Sequence, residues 1–96
     1  MSNLEISKML TISTAHLTYT TAHRILAVKS IVAYKKDIYG YFIHIDVDNG
    51  VEEIDDAADI PDDLKAAMKY ALKNGCEWLC VDRDGPAVDE LPTYDW

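Results

Sequence analysis

Four short stretches of the chain have the residue pattern of β-strands, and two longer stretches have that of α-helices. Alternating apolar and polar positions, or short runs rich in β-branched residues, are typical of strands, whereas apolar positions at i, i+3, i+4 and i+7 are typical of a helix. The predicted strands cover residues 9–13, 30–34, 41–47 and 77–82, and the predicted helices cover residues 19–29 and 61–73. The predicted order of elements is therefore β-α-β-β-α-β.

The second predicted helix has the clearest periodicity in the chain. Its apolar positions share one helix face, and they are Leu64, Ala67, Met68, Ala71 and Leu72. Pro61 suits a first helical position, and Gly75 can take the left-handed conformation that ends a helix. The first helix has a narrower apolar stripe, with Thr18 as its predicted N-cap. The acidic connection over residues 51–60 is expected to contain one helical turn.

This order of elements is that of the ferredoxin-like split βαβ sandwich, an α+β fold with two layers. Right-handed crossovers would place both helices on one face of an antiparallel four-stranded sheet. A chain of 96 residues is expected to form a single domain, residues 1–96.

The face of the sheet away from the helices, called the open face below, is the first candidate for a contact surface. If the apolar residues Leu10, Ile12 and Ile43 face the helices, strand alternation assigns the open face to Thr11, Ser13, Phe42, His44, Trp78 and Cys80. Phe42, His44 and Trp78 are therefore candidate partner-binding residues. The C-terminal tail, residues 87–96, either covers this face or leaves it exposed, and an exposed face could pair two copies of the chain.

Charge gives the second candidate surface, because it is distributed unevenly. The net charge is −8, with +3 in residues 1–45 and −11 in residues 46–96. The densest acidic run contains no base, and it consists of Asp46, Asp48, Glu52, Glu53, Asp55, Asp56, Asp59, Asp62 and Asp63. Direct binding of nucleic acid is disfavoured, because phosphate contacts need clustered Lys and Arg. The run either only aids solubility or imitates phosphates and occupies a basic groove on another protein.

Metal and cysteine chemistry are not predicted. Cys76 and Cys80, if both lie in a strand, are about 13 Å apart, which is too far for a shared metal or a disulfide. His16 and His23 are about 10 Å apart along a helix, which also excludes one shared ion. A Cys80–His44 pair on the open face would lack an oxyanion hole. No metal or other cofactor is therefore expected.

Two acidic motifs are also weighed and set aside. Asp82 and Asp84 after an apolar strand resemble the nucleophile loop of haloacid-dehalogenase-type phosphatases, but Pro86 stands where a hydroxyl residue is expected. The stretch from Asp46 to Gly50 fails as a calcium loop, because its glycine lies at the fifth position instead of the sixth. The chain is therefore predicted not to be an enzyme.

The first residues do not have the pattern of a signal peptide. No stretch of the sequence approaches the roughly 20 apolar residues of a membrane span. With only two cysteines, it is expected to be a reduced, cytoplasmic protein without membrane contact.

Residues 75–96, GCEWLCVDRDGPAVDELPTYDW, resemble a small uncharacterised family, domain of unknown function 5983, that phages and other mobile elements carry. The resemblance extends to residues 12–19, 39–42 and 60–64. Separately, Ser13–Leu17 with Tyr19 is similar to the opening of a type I-F anti-CRISPR protein. The family provides no catalytic residues to carry over, and the resemblance implies an accessory gene of a mobile element.

Two functional hypotheses follow from these observations. The first is an anti-defence protein of a phage or mobile element, which uses the acidic surface to inhibit a bacterial CRISPR-Cas or restriction complex. The second is a non-enzymatic binding or regulatory module that uses the open face. A homodimer joined through this face is one form of the second hypothesis.

Overall fold

The computed structural model describes residues 7–46 and 50–95, which form a four-stranded sheet with helices packed on one face. The strands are β1 (Met9–Ser13), β2 (Val32–Lys36), β3 (Gly40–His44) and β4 (Trp78–Asp82). The helices are α1 (Tyr19–Ala22), α2 (Gly50–Asp56) and α3 (Asp62–Lys73), and 3₁₀ turns cover Thr14–His16 and Ile25–Ala27. β2 begins two residues later than predicted. β3 ends at His44, so residues 45 and 46 of the predicted third strand lie beyond it, and residue 47 lies outside the described residues.

The strand order across the sheet is β1-β4-β3-β2, so the last strand is inserted between the first and the third. β4 is parallel to β1 and antiparallel to β3, and β2 is antiparallel to β3. The α+β class and the four strands are confirmed. The antiparallel, ferredoxin-like sheet is wrong, because the sheet is mixed.

The direction of β4 follows from a helix that the sequence pattern does not predict. The acidic connection forms the seven-residue helix α2 instead of one turn. A single crossover helix would return the chain to the start of β3 and make β4 parallel to it. Two successive helices instead bring the chain back to the end of β3, where the Ile45 amide donates to the Glu77 carbonyl at 2.7 Å.

The hydrophobic core lies between α3 and the inner side of the sheet. The predicted stripe of α3 is confirmed, since its buried residues are Leu64, Ala67, Met68 and Ala71. The inward strand residues that face the helices and are fully buried are Ile12, Ile43, Leu79 and Val81. Each buried aliphatic side chain of this size stabilises the fold by about 1.5–3 kcal/mol relative to an exposed one.

The first predicted helix, residues 19–29, is shorter in the structure. Thr18 caps it as predicted, but α1 ends at Ala22 and a 3₁₀ turn follows. The apolar stripe is too narrow to hold a longer helix against the core, because Ile25 is buried while Leu26 is 57% exposed.

The described part of the tail packs along the edge of the sheet beside β1. The Ser13 amide donates to the Pro86 carbonyl at 2.9 Å, and the Tyr94 amide donates to the Ala15 carbonyl at 2.8 Å. The described tail therefore docks at the β1 edge of the sheet, and of the two alternatives for the tail the structure has the one that leaves the open face exposed.

The buried side chain of His16 binds the tail through both ring nitrogens. Its side chain is 2% exposed, and the ring bridges two tail residues. Nδ1 lies 2.8 Å from the Pro92 carbonyl oxygen, and Nε2 accepts from the Val88 amide at 2.9 Å. Because a carbonyl only accepts, this pattern requires the neutral tautomer with its proton on Nδ1.

We expect His16→Ala to lower the free energy of unfolding by about 2 kcal/mol, because it leaves the Val88 amide and the Pro92 carbonyl without their partner. Urea unfolding measures the loss, and limited proteolysis should show earlier cleavage in the tail. His23→Ala is the control, since His23 is exposed and its Nδ1 bonds locally to the Tyr19 carbonyl oxygen at 2.9 Å. Equal losses in the two variants would contradict the bridging role.

Candidate functional site

The open face consists of the strand positions that point away from the helices. The pairing registers place these rows side by side: Met9, Thr11 and Ser13 of β1; Trp78, Cys80 and Asp82 of β4; Gly40, Phe42 and His44 of β3; Val32, Tyr34 and Lys36 of β2. All six residues that strand alternation assigns to this face lie on it. The described tail leaves it uncovered, because the contacts of the tail run to the β1 edge and to Tyr70 of α3.

An aromatic cluster occupies the end of the open face where β3 ends and β4 begins. The rings of His44 and Trp78 meet edge to face with their centres 4.9 Å apart, and Tyr34 lies 6.2 Å from Trp78. The surrounding apolar side chains are largely in water, with Tyr34 56%, Val32 52% and Met9 44% exposed. An apolar surface of this kind on a small protein is typical of an interaction site.

A partly buried ion pair occupies the opposite end of the open face, where β4 ends. Lys36 Nζ lies 2.6 Å from Asp82 Oδ2, and the Asp82 side chain is only 12% exposed. The Asp84 amide donates to the second Asp82 oxygen at 2.8 Å, and Lys36 also covers the Phe42 ring at 5.6 Å from its centre. The hydrogen bond between them raises the pKa of Lys36 and lowers the pKa of Asp82. The open face therefore carries no net charge from its ionic side chains.

The acidic run does not form one uniform surface, because three of its members have structural partners. Asp63 accepts from the Thr18 amide at 2.7 Å and from the Thr21 hydroxyl at 2.8 Å, so it ties α3 to the start of α1. Asp59 accepts from the amide and hydroxyl of Ser30, and the hydroxyl bond lowers the pKa of Asp59.

The third, Asp55, pairs with Lys69 at 2.6 Å on the surface, where such a pair contributes little. The remaining described acids of the run are exposed, and they are Asp46, Glu52, Glu53, Asp56 and Asp62. Asp48 lies outside the described residues. Glu52, Glu53 and Asp56 of α2 are thus the largest group of neighbouring acids in the run that remains for a partner.

The two cysteines and Asp82, considered above for metal or nucleophilic chemistry, are buried or already paired. Cys76 and Cys80 are free and buried, and the Asp82 carboxylate is taken up by Lys36 and the Asp84 amide. In the described ranges, no group of three or more His, Cys, Asp or Glu side chains could hold a metal ion. Nor do those ranges contain a helix with the length and apolar character to cross a membrane.

Sequence reasoning misses the Lys36–Asp82 pair and the His16 bridge. Lys36 falls in the predicted hairpin connection, and Asp82 is interpreted as the end of a strand. Their partners are far away in the sequence, so no local pattern signals either interaction.

The fold and the open face define a small α+β protein with an uncovered sheet surface. The profile of the C-terminal domain of a family of unknown function, DUF5983, matches residues 9–96. The chain therefore belongs to the DUF5983 family. No curated protein and no solved structure matches it.

We expect Lys36→Met to lower the melting temperature at neutral pH, because Asp82 is then left without its cation in a largely buried position. The Asp82 pKa lies below its ordinary value of 3.8, so the stabilisation is present above that value and is lost as the pH falls through the lowered folded pKa. The difference in melting temperature between the Lys36→Met variant and the parent chain should therefore become smaller in acid.

The Lys36 pKa lies above its ordinary 10.5, so the same difference should also narrow as the pH rises beyond that value. Thermal unfolding followed by circular dichroism across pH measures both effects. Lys35→Met serves as the control, because Lys35 is an exposed neighbour in the same strand. A difference that stays constant from neutral pH to below 3.8 would contradict the ion pair as the cause.

Proposed function

We propose that the chain works by protein–protein binding and not by catalysis, with the open face as its contact surface. The observation that supports this is the uncovered aromatic cluster of Tyr34, His44 and Trp78, bordered by exposed Val32 and Met9. Aromatic side chains of this kind are enriched at binding surfaces, because they bury a large area with few rotatable bonds.

A second copy of the chain is the occupant that the charges favour. The chain carries a net charge of −8, so most surfaces of two copies repel one another. The open face has only Lys36 and Asp82 as ionic side chains among its strand positions, and they neutralise each other. Two open faces can therefore meet without opposing like charges, in the manner of two packed sheets.

The size of the face indicates a weak dimer. Four strands about 4.8 Å apart, each with five residues rising about 3.3 Å, cover an area on the order of 300 Å². Standard interfaces bury about 800 Å² of accessible surface on each partner. We therefore expect an association that depends on protein concentration, with rapid dissociation.

We expect Val32→Glu to abolish this dimer, because each copy would then bury an unpaired carboxylate in the interface. Val51→Glu is a closely matched control: the substitution is the same and the exposure nearly so, at 51% against 52%, but Val51 lies on α2. Sedimentation velocity over a range of concentrations measures the dimer fraction. A monomeric parent chain at the highest concentration, or equal dissociation by both variants, would contradict the proposal.

A second candidate function, inhibition of a bacterial CRISPR-Cas or restriction complex, is supported by the exposed acids of α2. Glu52, Glu53 and Asp56 are exposed, and no ion pair is recorded for them within residues 7–46 and 50–95. α2 packs against α3, on the helix side of the sheet. A dimer closed through its open faces would therefore display two such acidic helices outward, towards a basic nucleic-acid groove.

Neutralising Glu52, Glu53 and Asp56 together, as Gln, Gln and Asn, is expected to remove inhibition while leaving the fold intact. Asp59 and Asp63 must stay, because they bond to Ser30 and to Thr18. Phage plating on bacteria with CRISPR-Cas or restriction systems measures the effect, which should fall to the level of cells without the chain.

The matched control is the Asn variant of three exposed acids elsewhere, Asp84, Asp89 and Asp95, which removes the same charge. Equal loss in both triple variants would indicate an effect of net charge alone. If the parent chain does not raise the plating efficiency of the phage, the anti-defence hypothesis is contradicted. The dimer measurement would stand independently of that result.

A further inference from the structure

A pocket of about 280 Å³ lies at the end of the sheet where the β2–β3 turn meets the end of α1, and we call it the hairpin pocket. Its lining includes Lys35 and Tyr41, which pair with each other on the helix side of the sheet. The hairpin pocket therefore lies mainly on the helix side, and one of its lining residues, Gly40, is an open-face position. Its volume is close to the lower limit of small-molecule sites, about 300 Å³.

The charge of this pocket is opposite to that of the chain as a whole. Lys35, Arg83 and His23 line it, against the single carboxylate of Asp37. The chain has only nine Lys and Arg residues to 17 Asp and Glu residues, so two cationic side chains beside one pocket form a local positive site. Such a site attracts small anions even when the net charge of the protein is negative.

Arg83 is held in position from two sides. Its backbone amide donates to the Tyr39 carbonyl at 2.8 Å, and its guanidinium lies 5.0 Å from the centre of the Tyr39 ring. A guanidinium packed over an aromatic ring loses little freedom when it binds an anion. Its planar fork of donors matches the oxygens of a phosphate.

The topology independently favours a ligand at this place. β1 and β4 are parallel, and Thr14 and Arg83, the residues directly after them, both line the hairpin pocket. In open α/β sheets, ligands bind outside the carboxyl ends of the parallel strands, where loop residues of neighbouring strands converge. The mixed sheet of this chain provides one such pair.

We propose that the hairpin pocket binds a small organic phosphate. In this proposal Arg83 and Lys35 hold the phosphate, the lining residues Thr14 and Tyr41 supply hydroxyl groups as further donors, and the ring of Tyr39 forms an apolar wall for the organic part. This site does not depend on the open face or on the acids of α2.

Titration of the full chain with adenosine 5′-monophosphate, inorganic phosphate and uncharged adenosine, followed by amide NMR shifts, tests this assignment. We expect saturable shifts at Thr14, Tyr39 and Arg83 with the nucleotide, weaker binding of inorganic phosphate, and no binding of adenosine. Arg83→Ala should weaken nucleotide binding by about tenfold, and Arg83→Lys should lose most of this affinity because it keeps the charge without the fork.

Lys8→Ala is the charge-matched control, because Lys8 precedes β1 and lies at the opposite end of the sheet from Thr14. It should change the affinity by less than about twofold. Lys35→Ala, at an exposed position, repeats the test if Arg83→Ala unfolds. The proposal is overturned if neither phosphate compound shifts the pocket amides in the millimolar range, or if Lys8→Ala weakens binding as much as Lys35→Ala.

Discussion

The burial of β4 on both faces is the constraint on which the rest of the structure depends. Helices cover only its inner side, where Leu79 and Val81 enter the core. On the outer side Cys80 is 1% exposed, although no described helix covers it. Neighbouring strands supply the cover, since Lys36 reaches across β3 to Asp82 and lies 3.8 Å from the Cys80 sulfur. The same long side chain thus seals the centre of the sheet and neutralises the charge there.

Sequence patterns predict the parts of this fold that repeat locally. α3 is recognisable because its apolar residues recur at helical spacing, and the two faces of the sheet are recognisable because strand side chains alternate. α2 gives no such signal, since only Gly50 and Ile54 of its residues are buried. Underestimating α2 as a single turn reverses the inferred direction of β4, and no local pattern indicates that β4 is inserted between β1 and β3.

The candidate sites also differ in how much of each can be predicted from local sequence patterns. Six residues of the open face follow from strand alternation, whereas Val32, Tyr34 and Lys36 of β2 are assigned to it only by the pairing register of the structure. The acidic run is conspicuous in the sequence, but composition cannot separate Asp63, which joins two helices, from Glu52, which faces solvent. The hairpin pocket has no sequence signature, because Lys35, Tyr39 and Arg83 converge only once β4 is inserted beside β3.

The parallel pairing of β1 with β4 also determines how the chain can fold. The β2–β3 hairpin joins residues close in sequence, whereas Met9 pairs with Trp78 from nearly the other end of the described chain. Closing so long a loop costs entropy that only the completed core can offset. We therefore expect the hairpin and the α2–α3 pair to form early, and the edge strand with its His16-bound tail to dock last. Until that step β4 has an unpaired edge beside the open face, so assembly of the domain and protection from edge-to-edge aggregation are completed by the same event.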